Sequence, residues 1–390
     1  MTNKKIKNTE TKKSGKKSGA LNEYKIEPHF KDIENTVAVA FSSSDYYAPY
    51  LSALLLSLAA HTSQDTNYDI VVFTRDMSDF NQKYLKSLIE KKNISLRFLN
   101  VSKLFENKQL YVPFYLTLET YFRIMAPLVF ANYPKVLFVD SDTLILSDIK
   151  ELYFTDIEKY PLAAAEELLL QATFNEAGIN IPEFMKTLGL KDARRYFQAG
   201  VILFNCKYCN ENNFSERLLK NISSKNYKIV DQDALNEICA DKHLLLSNKW
   251  NFAPCKRSSH LLQFMPADVK EKYMSVKSPK LVHFVGMNWK PWTEIDCEYD
   301  YVWWSYAKQT IYYEEILRRL SEFTCSNIVK EHNSGQILRM CINYAKNRKK
   351  YLFYKVLSKL AWGGVRQKWK AKSKELKEII RQTRRYLKGL

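Results

Sequence analysis

The chain has 390 residues, 46% of them apolar and 14% aromatic, which is enough to bury a large core and excludes a disordered or collagen-like polymer. Its formal charge of +18 sits at the ends: residues 1–20 carry +6 and residues 345–390 carry +14, leaving −2 on the body between them. A duplex-binding domain needs its basic stripe on the folded body, because phosphate neutralisation supplies most of its affinity, so specific nucleic-acid binding is not expected.

No run approaches the roughly 18 apolar residues needed to cross a bilayer, and the Lys-rich start lacks the apolar stretch of a secretion signal. A cytoplasmic protein is the expectation. The seven cysteines lie between Cys206 and Cys341, an odd number confined to one part of the chain. Reduced thiols fit better than a disulfide framework, and Cys206-Lys-Tyr-Cys209 has no second pair at zinc-site spacing.

Residues 1–30 are rich in Lys, Ser, Gly and Thr and predict a flexible tail. Val37 to Phe41 then reads as a strand, Ser42 to Asp45 as a polar turn and Tyr50 to Ala60 as a helix. Tyr68 to Thr74 and Ile94 to Val101 repeat the strand signal around a helix at Phe80 to Lys91. This β-α-β-α-β period predicts an α/β fold with a mostly parallel sheet flanked by helices. A helical stretch at Leu116 to Phe130 precedes a buried strand, Lys135 to Val139, that runs into Asp140-Ser141-Asp142. Apolar runs at Leu162 to Ala165, Ala199 to Phe204 and Lys280 to Val285 continue the sheet, with helices at Phe214 to Ile222 and Gln232 to Cys239. From Tyr301 the pattern is helical to the end, interrupted at Gly363-Gly364. The chain thus divides into a tail (1–30), an α/β domain (31–300) and a helical extension (301–390), basic and amphipathic from about 345.

The candidate chemistry lies at two strand ends. Residues i and i+2 of an extended chain face one side, so Asp140 and Asp142 can converge on one hard cation such as Mn²⁺ or Mg²⁺. A D-x-D triplet also arises about once by chance in a chain of this length, and Asp231-Gln232-Asp233 is another; solvated turn acids are the alternative. The second cluster follows Leu281 to Val285. There His283 offers an imidazole, Gly286 a close backbone approach to phosphate and Lys290 a cation. On its own His283 also fits a core histidine, and Trp289 and Trp292 fit packing.

Taken together, VLFVDSD at 136–142 and HFVG followed by KPW at 283–292 resemble glycosyltransferase family 8, in order over about residues 36–297. The resemblance implies a GT-A fold, a retaining transfer of galactose or glucose from UDP-galactose or UDP-glucose, and Mn²⁺ (or Mg²⁺) bound by Asp140, Asp142 and His283. By motif, Asp140 and Ser141 would also touch the donor, and Gly286 and Lys290 would hold its diphosphate. Ser42, Ser43, Ser44, Asp45 and Tyr47 would receive the nucleoside, and Arg123, in Thr120-Tyr-Phe-Arg123, would contact the donor. Gln198, Ala199 and Gly200 would face the sugar, Gln198 standing where Asn is common. Asp231 and Gln232 would lie beside the transferred sugar, completing with Arg123 a catalytic group.

The implied acceptor is a cell-envelope glycan such as lipopolysaccharide or lipooligosaccharide. Leu352, Phe353, Val356, Leu357, Leu360 and Ala361 recur at helical spacing among lysines and arginines, a pattern suited to an anionic membrane surface and hence to a peripheral location on the inner face of the cell membrane. Packing of that face on the α/β domain is the alternative. A different class of function would be a non-catalytic nucleic-acid-binding or adaptor protein working through its basic tails.

Overall fold

The computed structural model describes residues 23–390 apart from 107, 109, 112–116, 256–259, 287–288, 294–296, 332–334, 361–362 and 389–390. Most of the expected amino-terminal tail lies outside the described residues. Its last part is docked: Tyr24 is buried, the Ile26 N–H donates to the Val129 carbonyl at 3.0 Å and the His29 N–H to Asp69 at 2.8 Å.

The strands are β1 (Thr36–Ser42), β2 (Asn67–Thr74), β3 (Ile94–Asn100), β4 (Lys135–Asp140), β5 (Thr143–Ile145), β6 (Leu162–Glu166), β7 (Phe197–Asn205), β8 (Leu244–Leu246) and β9 (Leu281–His283). Seven form one sheet in the order β3-β2-β1-β4-β7-β6-β8. All neighbours are parallel except β7, which runs against both β4 and β6. β1 and β4 are central and buried on both faces, which is why Val37 to Phe41 and Val136 to Val139 read as unbroken apolar runs.

Lys280 to Val285 does not continue this sheet. β9 pairs antiparallel with β5, Thr143 opposite His283, in a separate two-stranded ribbon. A turn at Ser141-Asp142 leads from β4 into β5, and β5 is the strand that receives β9. The expected helix at Leu116 to Phe130 is also different, a 3₁₀ segment at Leu118–Met125 leading into one turn of α-helix at Ala126–Val129.

Helix α1 (Ala48–Ala60) is buried nearly all round. It packs Leu51, Leu54, Leu55 and Leu58 on the sheet core and Tyr50 and Ala53 on a second cluster with Trp292 and Trp303, so its sequence is apolar on every face. Helix α2 (Asp79–Leu88) is capped by the Ser78 hydroxyl, α3 (Val230–Cys239) lies along β7, and α4 (Asp300–Ala307) packs on α1.

The described chain forms two compact units that part after Ile316, so α4 belongs to the first. The second, Leu317–Leu390, is helical. Its α5 (Gly335–Leu360) and α6 (Gly363–Lys388) pack on each other, with the Tyr354 ring stacked on Trp369 at 4.9 Å. Gly363 and Gly364 stand at the start of α6, and residues 361–362 lie outside the described residues. Along α5, Tyr354 and Leu357 are half-buried and Ser358 is buried, whereas Leu352, Phe353 and Val356 are exposed. No helix among the described residues is long and apolar enough to cross a membrane.

Candidate active site

β4 stops at Asp140; Ser141 and Asp142 form a turn into β5. The two carboxylates therefore converge through a turn, not through the shared face of one extended strand. The β5–β9 pairing carries His283 to them. One ligand atom each from Asp140, Asp142 and His283 lies within 4.8 Å of the others, with His283 Nε2 at 3.1 Å from Asp142 and 3.7 Å from Asp140. The His283 Nδ1 hydrogen goes to the Asn251 Oδ1 at 3.0 Å. That partner fixes the ring with Nε2 towards the carboxylates, the nitrogen that would offer its lone pair to a cation bound there.

Burial pushes the Asp140 carboxyl up to about 6 against the pull of Arg123. Burial also raises Asp142, but Lys290 and His283 more than offset it and hold that carboxyl well below the usual range. Lys290 reaches this position by donating both to Asp142 and, at 2.6 Å, to the Phe284 carbonyl.

Arg123 is the second organiser. It is buried, lies over the Phe138 ring at 5.1 Å, and donates through Nη2 to both Asp140 oxygens at 2.8 and 3.1 Å and through Nη1 to the Ala199 carbonyl. Its Nε hydrogen goes to the Thr120 carbonyl at 3.0 Å, while Asp231, 2.9 Å away, is an ion-pair partner. Gln232, beside it in the first turn of α3, is held at both ends of its amide: Oε1 accepts from the Ala199 N–H at 2.9 Å and Nε2 donates to the Tyr196 hydroxyl at 3.2 Å.

Gly200 marks a close approach. A methyl group there would stand 2.1 Å from His283 Cε1 and 2.8 Å from an Asp140 oxygen. Gly286 is needed for its backbone, φ +79°, and faces open space.

An open cavity of about 610 Å³ brings Arg123, Asp140, Asp142, Gln198, Ala199, Asp231, Gln232, His283 and Gly286 into one wall, with Thr120, Glu167 and Trp289. The expected nucleoside turn lies outside that wall. Ser42 donates to the Glu119 carbonyl at 2.7 Å and accepts from Ser141 at 2.7 Å. Ser43 donates to the Ser44 carbonyl at 3.2 Å, and Ser44 makes no cap. Asp45 accepts from the Ser78 N–H and the Asn81 amide at 2.7 Å each, tying it to the start of α2; burial raises its carboxyl, but these bonds outweigh it and leave it below the ordinary range. The Tyr47 ring sits edge-on to Tyr50 and Trp292, which stack on each other at 4.4 Å.

Two residues of the site had gone unnoticed in the sequence. Glu167 lines the cavity and accepts from the Leu169 N–H at 3.0 Å; burial raises its carboxyl, and its place after the β6 run was a signal of the same kind as that of Asp140. Asn251, between Trp250 and Phe252, carried none. Cys206 and Cys209 are buried and helical, and Cys239, Cys255 and Cys297 are buried as well.

The model for glycosyl transferase family 8 matches residues 38–296. A putative glycosyltransferase of Haemophilus influenzae is 31% identical over 257 residues, which cover 65% of this chain and 72% of that protein. General stress protein A of Bacillus subtilis is 26% identical over 263 residues, covering 64% and 85%. Among solved structures, the bifunctional glycosyltransferase WbbM superposes with a TM-score of 0.69 at 28% identity, covering 76% of this chain and 53%, about half, of that one. The galactosyltransferase LgtC, solved with donor and acceptor sugar analogues, shares the fold, with a TM-score of 0.55 at 22% identity over 70% of this chain and 96% of its own. The matched span contains the whole cavity wall, which sets aside the reading of an inert scaffold with basic tails. The chain belongs to glycosyl transferase family 8 and is a glycosyltransferase of GT-A fold.

Proposed function

We propose that the enzyme is a retaining hexosyltransferase that moves galactose or glucose from a UDP-sugar to a cell-envelope glycan of the lipopolysaccharide or lipooligosaccharide kind, with Mn²⁺ or Mg²⁺ held by Asp140, Asp142 and His283. The observation that carries this reading is the convergence of the three ligand atoms within 4.8 Å. Charge supports it. Four carboxylates, Asp140, Asp142, Glu167 and Asp231, line the cavity with Arg123, and Lys290 stands beside Asp142; such an excess of buried negative charge is costly without a counter-ion. A divalent cation held by Asp140, Asp142 and His283 would supply Lewis-acid stabilisation to the departing diphosphate.

The chain's own groups do the rest. Lys290 adds a fixed positive charge for the departing diphosphate. Arg123 keeps Asp140, Asp231 and the Ala199 carbonyl in register, so that Asp231 and Gln232 form the wall against the sugar. With both ends of its amide engaged, Gln232 is poorly suited to attack. Retention then follows from front-side approach: the acceptor hydroxyl bonds to the anomeric carbon on the face the diphosphate leaves, and its proton passes to the departing phosphate oxygen.

Purified protein should hydrolyse UDP-galactose or UDP-glucose faster with Mn²⁺; activity that survives both Asp140→Asn and Asp142→Asn sinks the metal assignment. A glycosyl adduct trapped on Asp231, Gln232 or any other side chain overturns front-side attack, and an inverted anomeric proton signal in the product overturns retention.

The helical unit supports a location on the inner face of the cell membrane. Exposed Leu352, Phe353 and Val356 on α5 stand among exposed Lys349, Lys350, Lys355 and Lys359, a surface that fits an anionic bilayer, where each lysine contributes about 1 kcal/mol. Replacing the three apolar residues by Ser should abolish sedimentation with anionic liposomes; undiminished sedimentation refutes the location.

A further inference from the structure

His283 and Gln198 act on different things: one faces the carboxylate pair, the other the cavity where the sugar is proposed to sit. They are nonetheless tied through one buried side chain. Asn251 accepts from His283 Nδ1 at 3.0 Å through Oδ1 and donates to Gln198 Oε1 at 2.6 Å through Nδ2. The same Gln198 oxygen accepts from the Gly200 N–H at 2.6 Å. With Oε1 committed twice, the Gln198 amide is held with its Nε2 hydrogens as the remaining donors, on a residue that lines the cavity.

The backbone places Asn251 for this. Phe252 bridges to Val282 in parallel register. The Phe252 N–H donates to Leu281 at 3.0 Å and the His283 N–H to Phe252 at 2.8 Å, so residue 251 is carried alongside β9. Below, Gly200 closes the space under the imidazole. Asn251 is 5% exposed and His283 2%; neither has solvent to replace its partner.

We propose that Asn251 is a positioning residue shared by the two halves of the reaction: its carbonyl end fixes the His283 tautomer for cation binding, and its amide end fixes the Gln198 donor for recognition of a hydroxyl on the donor sugar. The cation and sugar contacts are thereby built on one rigid element, so that losing Asn251 weakens both. This rests on the metal reading proposed above.

Two substitutions separate the ends. Asn251→Leu removes both bonds. Asn251→Asp keeps an oxygen for His283 Nδ1 but faces Gln198 with a second acceptor, so the Gln198 amide must invert and present its oxygen to the cavity. Mn²⁺ affinity is read on metal-free protein from the free-ion EPR signal, without substrate or turnover. Sugar recognition is read as the ratio of UDP to UDP-hexose dissociation constants at saturating Mn²⁺. Asn251→Leu should bind Mn²⁺ about 10–100-fold more weakly, the usual effect of removing a ligand's outer partner. Asn251→Asp should bind Mn²⁺ at least as tightly as wild type yet lose about threefold or more in the sugar ratio, the worth of one hydrogen bond.

If wild type binds Mn²⁺ and Asn251→Leu binds it equally tightly, the assignment fails while the metal reading stands. If Asn251→Asp keeps the wild-type sugar ratio, the link to Gln198 fails. If wild type itself leaves the Mn²⁺ signal unchanged, both fall. Thermal unfolding in EDTA checks that each variant is folded, and Asn251→Asp decides the matter should Asn251→Leu not fold.

Discussion

The two halves of the sheet are built on different principles. β3, β2, β1 and β4 are parallel, and the central pair, β1 and β4, is filled with continuous apolar runs whose burial drives folding. β7, β6 and β8, with the β5–β9 ribbon, mix directions and set polar groups at the cavity end: Glu166 and His283 are buried, Gln198 and Glu167 half-buried, and each needs a partner. The first half supplies stability and two carboxylates at its edge. The second supplies the constraints that turn those carboxylates into a site.

That division can be broken or sharpened by substitution. The largest effect should come from the stable half: Phe73→Ala in β2, a fully buried ring, should cost about 3–5 kcal/mol in urea unfolding and leave Mn²⁺ affinity unchanged. A comparable loss of affinity would show the halves to be coupled. Asp142→Asn, at the seam, should weaken Mn²⁺ binding by more than the roughly 100-fold upper range of an outer-partner loss, read by the same EPR titration. Gly200→Ala should come next, at about 10–100-fold: its new carbon must displace His283, 2.1 Å away, which Asn251 holds in place. Gly286→Ala is the control, since nothing lies within 4 Å; its positive φ should cost only about 1 kcal/mol of stability.

The smallest effect concerns pH. His243, before β8, is buried with neither ring nitrogen hydrogen-bonded; burial, aided by the charge of Arg195, lowers its pKa from 6.5 to about 4. Between those values the unfolded chain holds the extra proton, so stability rises with pH there. The contribution is fully present above pH 6.5 and is lost as pH falls towards 4, amounting to about 1 kcal/mol at pH 5.5. In His243→Phe the difference between unfolding free energies at pH 7 and pH 5.5 should shrink by that amount; an unchanged difference contradicts the assignment.

The β-α-β-α-β half was readable because strand and helix periods are local. Its central strands are buried on both faces and its first helix nearly all round, so composition and burial agree residue by residue. Asp140 and Asp142 could be singled out because acids at the end of a buried strand violate that agreement. Asn251 violated nothing: it sits between Trp250 and Phe252 in an irregular segment, and its partner is 32 residues away. The ribbon escaped for a related reason, since a three-residue strand such as Leu281–His283 fits either sheet until its neighbour is known.

By itself the sequence determined the β-α-β-α-β order of the first half, the acids at the end of β4 and the basic amphipathic character of the last helices, because each follows from residues a few positions apart. Which strand received β9, which amide oriented the His283 ring and which donors occupied the Gln198 oxygen were decided only in three dimensions. Those outcomes depend on hydrogen bonds between segments distant in the chain, where a buried donor takes whichever acceptor the fold brings within reach.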